Sequence, residues 1–140
     1  MTTVSATDVR KNWSMTLDTV VREKPVYVRR VRDNVAIINQ STLDDVLSFF
    51  DFSAHKYIED DGSLTLSSVD LDLAVNAPDE ESARNALAKE IKEYAEDFYN
   101  DFALWSKAPN RKKHVPLVLK ALTLNKSEIA EEIICLDGKN

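Results

Sequence analysis

One cysteine, two glycines, four prolines and two histidines are all that a chain of 140 residues contains of those types, and each shortage removes a class of protein. Cys135 alone cannot form an internal disulfide, which fits a reducing compartment, and its ordinary use is as a small, semi-buried apolar residue. Glycine at 62 and 138 only leaves no phosphate-cradling glycine loop. So few glycines and prolines also disfavour long flexible linkers and all-β folds built on many tight turns. His55 and His114 lack sequence partners for a catalytic triad, a zinc site or a general base, so no enzyme activity, metal or cofactor is expected. No apolar run reaches the roughly 18 residues of a membrane span. The start, MTTVSATDVRKNW, lacks the basic-then-apolar pattern of a secretory leader. A cytoplasmic location away from membrane is the expectation.

What is present is a balanced globular composition, 44% hydrophobic and 30% charged. The net charge of −6 is unevenly spread. Residues 1–40 hold seven basic and four acidic side chains, a net +3, which leaves −9 on the remainder. Two surfaces with different partners are implied: a basic head suited to phosphate and an acidic remainder suited to a basic protein.

The hydrophobic pattern predicts an α+β chain. Ser5 with Asp8 has capping-box spacing, and Val9, Trp13, Leu17, Val20 and Val21 make one apolar stripe on a helix over about 6–23. Pro25 ends it. Val26–Val31 and Val35–Ile38 read as a hairpin turning at Arg32-Asp33-Asn34, where Asn34 tolerates a left-handed conformation. A short helix follows from Ser41, completing a β-α-β-β-α unit over residues 1–52. The polar turn Glu59-Asp60-Asp61-Gly62 is taken as the start of a second, acidic unit over 57–140. There, Leu64/Leu66 and Leu71/Leu73/Val75 predict two strands with a turn or bulge near Ser67-Ser68. Ala83, Leu87, Ile91, Tyr94, Phe98, Phe102 and Trp105 predict a long amphipathic helix over 79–105, and two short helices follow at about 115–123 and 126–135, the latter with Asn125 and Glu128 as a cap pair.

The first unit resembles the Phd/YefM antitoxins. Val4 to Trp13, Pro25 to Arg30, Val35 to Ile38 and Ser41 to Leu47 repeat that family's order: a serine, an acidic residue and Arg-x-Asn on the first helix, a strand ending in arginine, a second strand, and a helix rich in acidic residues and leucine. Trp13 replaces a usual leucine, Arg29 a common threonine, and the turn lacks the usual glycine. The resemblance implies a homodimer that binds palindromic operator DNA and represses its own expression. Carried over by motif position, Arg10 and Arg30 become the principal DNA contacts, with Asn12 assisting. Arginine can fork two hydrogen bonds to guanine or phosphate. Lys11, Arg29 and Arg32 would be phosphate contacts, which position without reading sequence. Solvated surface charge is the plain alternative for all of them.

The second unit resembles HicB-type antitoxins in pattern rather than motif, through Glu59–Leu66, Val69–Leu71 and Asp79–Ala83. In this reading it neutralises a cognate toxin, a ribonuclease, and Tyr94, Phe98, Phe102 and Trp105 on the long helix are the partner-binding candidates. Toxin binding would bridge dimers into a larger assembly. The alternative is a dimeric interaction module without DNA binding, working through the acidic helix 79–105. Asp70 and Asp72 share a face of the expected strand, where an exposed acidic surface outweighs a metal pair. Arg111-Lys112-Lys113-His114 reads as a solvated basic loop.

Overall fold

Ser5 joins the first strand to the first helix. It ends β1 (Val4–Ser5), and its Oγ accepts the Asp8 backbone N–H at 3.1 Å, capping α1 (Ala6–Lys11). The computed structural model describes residues 2–138, and the chain divides into two units between Val46 and Leu47.

In the first unit, β1 pairs in parallel with β2 (Val26–Arg30), matching Val4 with Val28. Antiparallel to β2 runs β3 (Asp33–Ile37), with Val26 opposite Ile37 and Arg30 opposite Asp33. The single helix expected over 6–23 is two. Asn12 breaks it at φ −118°, ψ 39°, and its backbone and side-chain amides both donate to the Asp8 carbonyl, at 3.0 and 3.1 Å. The chain then re-enters helix as α2 (Trp13–Arg22). An asparagine side chain can satisfy an orphan helix carbonyl, which makes the break cheap. The hairpin also turns earlier than expected. Its loop is Val31-Arg32, and Val31, not Asn34, takes the positive φ of 53°. Arg30 and Asp33 pair at 2.7 Å across that turn, and a β-branched residue carries its strain. After the hairpin comes α3 (Gln40–Leu47). Four valines, Val9, Val20, Val26 and Val28, form the buried core, with Val4, Ala6 and Ile37 partly covered beside them.

The second unit is a four-stranded sheet with helices. Its strands are β4 (Ser53–Ile58), β5 (Leu64–Ser68), β6 (Ala74–Ala77) and β7 (Ile134–Asp137), in the order β6-β5-β4-β7. β4, β5 and β6 form an antiparallel meander, whereas β7 lies parallel to β4, with Ser53 beside Ile134. Glu59–Gly62 is therefore the turn of the β4–β5 hairpin, with Gly62 at φ 84°, and not the start of a unit. Residues 69–73 form a bend between β5 and β6, so Asp70 and Asp72 do not stand on a strand face, and Asp72 has φ 56°.

Asp79 accepts the Ser82 N–H at 2.7 Å and starts α4 (Glu80–Asn100). The expected helix over 79–105 breaks at Asp101 and resumes as α5 (Phe102–Trp105). A 3-10 turn, Lys112–His114, leads into α6 (Val115–Leu122). α7 (Lys126–Glu132) opens on the expected cap pair, a reciprocal box between Asn125 and Glu128 at 2.8 and 3.0 Å. It stops at Glu132, and Ile134–Asp137, partly expected as helix, is a strand. The core joins Leu64 and Leu66 of the sheet to Ala83, Leu87, Ile91 and Phe98 of α4 and to Leu117, Val118 and Ile129.

Two cations fasten helix ends, and a third ties α6 to a loop. Lys92 Nζ donates to the carbonyls of Ala121, Leu122 and Leu124 at 3.0, 3.0 and 2.6 Å, where α6 finishes. Arg84 donates to Ala130 and Ile133 at the end of α7. Lys120 donates to the Phe50 carbonyl at 2.6 Å and pairs with Glu132 at 3.2 Å. Positive charge at a helix C-terminus meets both unpaired carbonyls and the negative end of the dipole.

Candidate functional site

Each unit carries a concave surface. In the first, the β1-α1 connection sets α1 beside β2, and a groove of about 750 Å³ opens between the helices and the sheet. Its walls are Ala6, Val9, Trp13, Val28, Val35 and Ile37, and Arg10, Arg30 and Asp33 also line it. Trp13 is 50% exposed and Val35 52% exposed, a large apolar surface left uncovered. The groove brings together Arg10 and Arg30, which the motif selected. Arg30 is exposed and held by Asp33, a partner the sequence reading overlooked although the i, i+3 spacing across a tight turn signalled it. Arg29 neighbours Arg30 on β2 and so points to the opposite face. Its Nε reaches the Val31 carbonyl at 3.5 Å. Lys11 ends α1, Arg32 sits in the hairpin loop, and neither lines the groove. Asn12 spends its amide on the Asp8 carbonyl, leaving its side-chain oxygen for any outside contact.

In the second unit, a cleft of about 330 Å³ lies along α4. Tyr94, Phe98 and Trp105 line it together with Leu73, Glu90, Glu93, Asp97 and Arg111. Three of the four expected partner-binding aromatics thus share one cleft. Phe98, 2% exposed, belongs chiefly to the core and gives the cleft a wall. Phe102 packs edge-on against Phe98, with ring centres 5.5 Å apart, and is not part of the lining.

The basic loop is not simply solvated. The Arg111 guanidinium lies 5.4 Å from the Tyr94 ring centre and 5.0 Å from that of Trp105, and it donates to the Tyr94 hydroxyl at 3.0 Å. That hydroxyl is 2.7 Å from His114 Nδ1. Arginine can only donate, so the hydroxyl accepts from it, and the direction of the bond between the hydroxyl and Nδ1 follows the imidazole tautomer. Nε2 faces Asp72 Oδ2 at 3.7 Å without a hydrogen bond. His114 is 1% exposed. Burial lowers its pKa; the Asp72 charge opposes this and the charges of Arg111 and Lys113 add to it. Nothing in the sequence spacing announced this chain of three residues, because its links come from α4 and a turn distant from it.

Among the described residues, no group of three His, Cys, Asp or Glu side chains could hold a metal ion, and no helix is long and apolar enough to cross a membrane.

Comparison with known proteins bears on the whole chain. A crystal structure described as an antitoxin part of a proposed toxin–antitoxin system from Syntrophomonas wolfei subsp. wolfei is 37% identical, with a TM-score of 0.92, covering 99% of this chain and 100% of that one. No curated protein matches. A family model described as PHD-like, antitoxin of toxin–antitoxin, RelE/RelB, TA system, matches residues 1–136. The chain therefore belongs to the PHD-like antitoxins of toxin–antitoxin systems.

Proposed function

We propose that the first unit pairs with a second copy of itself through the apolar groove and presents Arg10, Asn12 and Arg30 of both copies to operator DNA, with Lys11 and Arg32 as phosphate contacts at its edge; Arg29, on the opposite face of β2, is left as a solvated charge. The observation that supports this most is the groove itself. A unit whose core is four valines is poorly stabilised alone, and a half-exposed tryptophan beside it asks for cover. Arg10 and Arg30 line the same groove, so closing it on a two-fold axis gathers arginines from both copies along one face. The second unit carries −7 from Leu47 onward, and it neutralises the toxin. A ribonuclease, which must hold phosphate, suits an acidic partner of this kind.

The test is a titration against DNA from upstream of the protein's own coding sequence at two salt concentrations. Wild type should bind with an affinity that falls steeply with salt, because phosphate contacts release counterions. Arg10→Ala/Arg30→Ala should lose sequence-selective binding and flatten the salt slope by about 0.9 for each phosphate contact removed. A folded wild-type protein that binds no such DNA, with or without the protein encoded beside it, would leave only the interaction-module reading.

A further inference from the structure

The cleft along α4 has the chemistry of a seat for a single cationic side chain. Glu90, Glu93, Tyr94, Asp97 and Phe98 recur at helical spacing, so α4 offers carboxylates and aromatic faces on one side. Among the described residues Glu90 and Asp97 have no ion pair, and Glu93 meets Lys89 only at 3.9 Å across an exposed contact. Three carboxylates face one guanidinium in the lining, which leaves the cleft negative. Arg111 shows what these surfaces hold: its guanidinium already rests against both Tyr94 and Trp105. About 330 Å³ stays open beside it, the size of a small-molecule site and too small for a docked helix. Phosphate is disfavoured by the carboxylates, so nucleic acid is a poor occupant.

We propose that this cleft receives one arginine or lysine side chain of the toxin, held between the Tyr94 and Trp105 faces and the α4 carboxylates. The proposal rests on reading the second unit as the toxin-binding part. Arg111 offsets part of the negative charge and shares the aromatic faces, so it competes with the incoming side chain.

The free side chain is tested first, on the full chain labelled for NMR, with N-acetylargininamide as the probe and N-acetylcitrullinamide as its neutral isostere. The argininamide should shift the Trp105 indole N–H saturably, and the citrullinamide should not. Glu93→Gln/Asp97→Asn should weaken the argininamide about tenfold. Arg111→Gln, which keeps a donor for the Tyr94 hydroxyl, should tighten it about threefold by removing the competing charge. Equal shifts from both probes, indifference to the carboxylate change, or weaker binding by Arg111→Gln would each overturn the proposal. Hydrogen exchange of the complex with the protein encoded beside the gene then separates two failures. Protection confined to residues up to Val46 sinks the toxin-binding reading of the second unit. Protection within the second unit that spares 90–98 and 105–111 sinks the cleft alone. Protection of both stretches, lost in Glu93→Gln/Asp97→Asn, is the expected result.

Discussion

At the scale of single residues, His114 is the group whose environment most constrains behaviour. Its ring takes up a proton near pH 6.5 in an unfolded chain, whereas burial lowers that value in the folded one. Below pH 6.5 the unfolded state therefore binds more protons than the folded state, and stability rises with pH. The contribution is complete above the unfolded value, declines as pH falls through 6.5, and stops declining once the folded ring is protonated. Urea unfolding of the second unit should accordingly show a midpoint that drops between pH 7.5 and 5.5, and His114→Gln should flatten that dependence whatever its effect at pH 7.5. An equal slope in the variant would mean that other groups carry it. The sequence reading reached the Asn125–Glu128 cap by short-range spacing, where local geometry decides, whereas it singled out Arg10 and Arg30 only by their motif positions in the Phd/YefM resemblance. It missed the His114–Tyr94–Arg111 chain because twenty residues separate Tyr94 from His114, and no local rule brings them together. Asn34 illustrates the opposite failure: it has the better left-handed propensity, but the Arg30–Asp33 register handed that conformation to Val31.

Among elements, α4 organises the second unit. Its buried stripe of Ala83, Leu87, Ile91 and Phe98 was legible from periodicity alone. Its other service was not, since Lys92 reads as an ordinary surface lysine until the end of α6 is seen against it. Lys92→Met would keep the aliphatic stem and remove the donor to three carbonyls. Charge-assisted bonds of this kind predict a loss of about 2 kcal/mol in urea unfolding. Lys89→Met, whose pair with Glu93 is exposed, should change stability little by comparison. A Lys92→Met protein as stable as wild type would show that water replaces the lysine without loss. The strands divide in the same way. β5 was readable from Leu64 and Leu66. β4 was hidden by polar residues on a two-sided sheet, and Ile133 to Leu136 fits a helix stripe as well as a strand. Only pairing with β4 decides between them.

On the scale of the whole molecule, the two units differ in how much core each holds. The first has four buried valines and the second a cluster running from Phe52 to Ile133. If the groove is closed by a second copy, unfolding of the first unit should shift with protein concentration, as mass action requires, while that of the second should not. Calorimetry over a hundredfold dilution reads both, and a first transition indifferent to dilution would speak against pairing through the groove. The charge contrast is also sharper by element than by unit. α3 brings Asp44 and Asp45, so residues through Val46 total only +1, and the basic character lies on α1 and the hairpin. A final consequence concerns time. β7 closes the second sheet against β4, and everything from β5 to α7 lies between those two strands in the chain. On the ribosome, the first unit has its intrachain pairings within a short stretch, all of it made while the rest is still to come. The second must wait, with one edge of β4 open, until Ile134–Asp137 emerges. If the proposed pairing through the groove holds, it is thus open to a new molecule before the second sheet is complete.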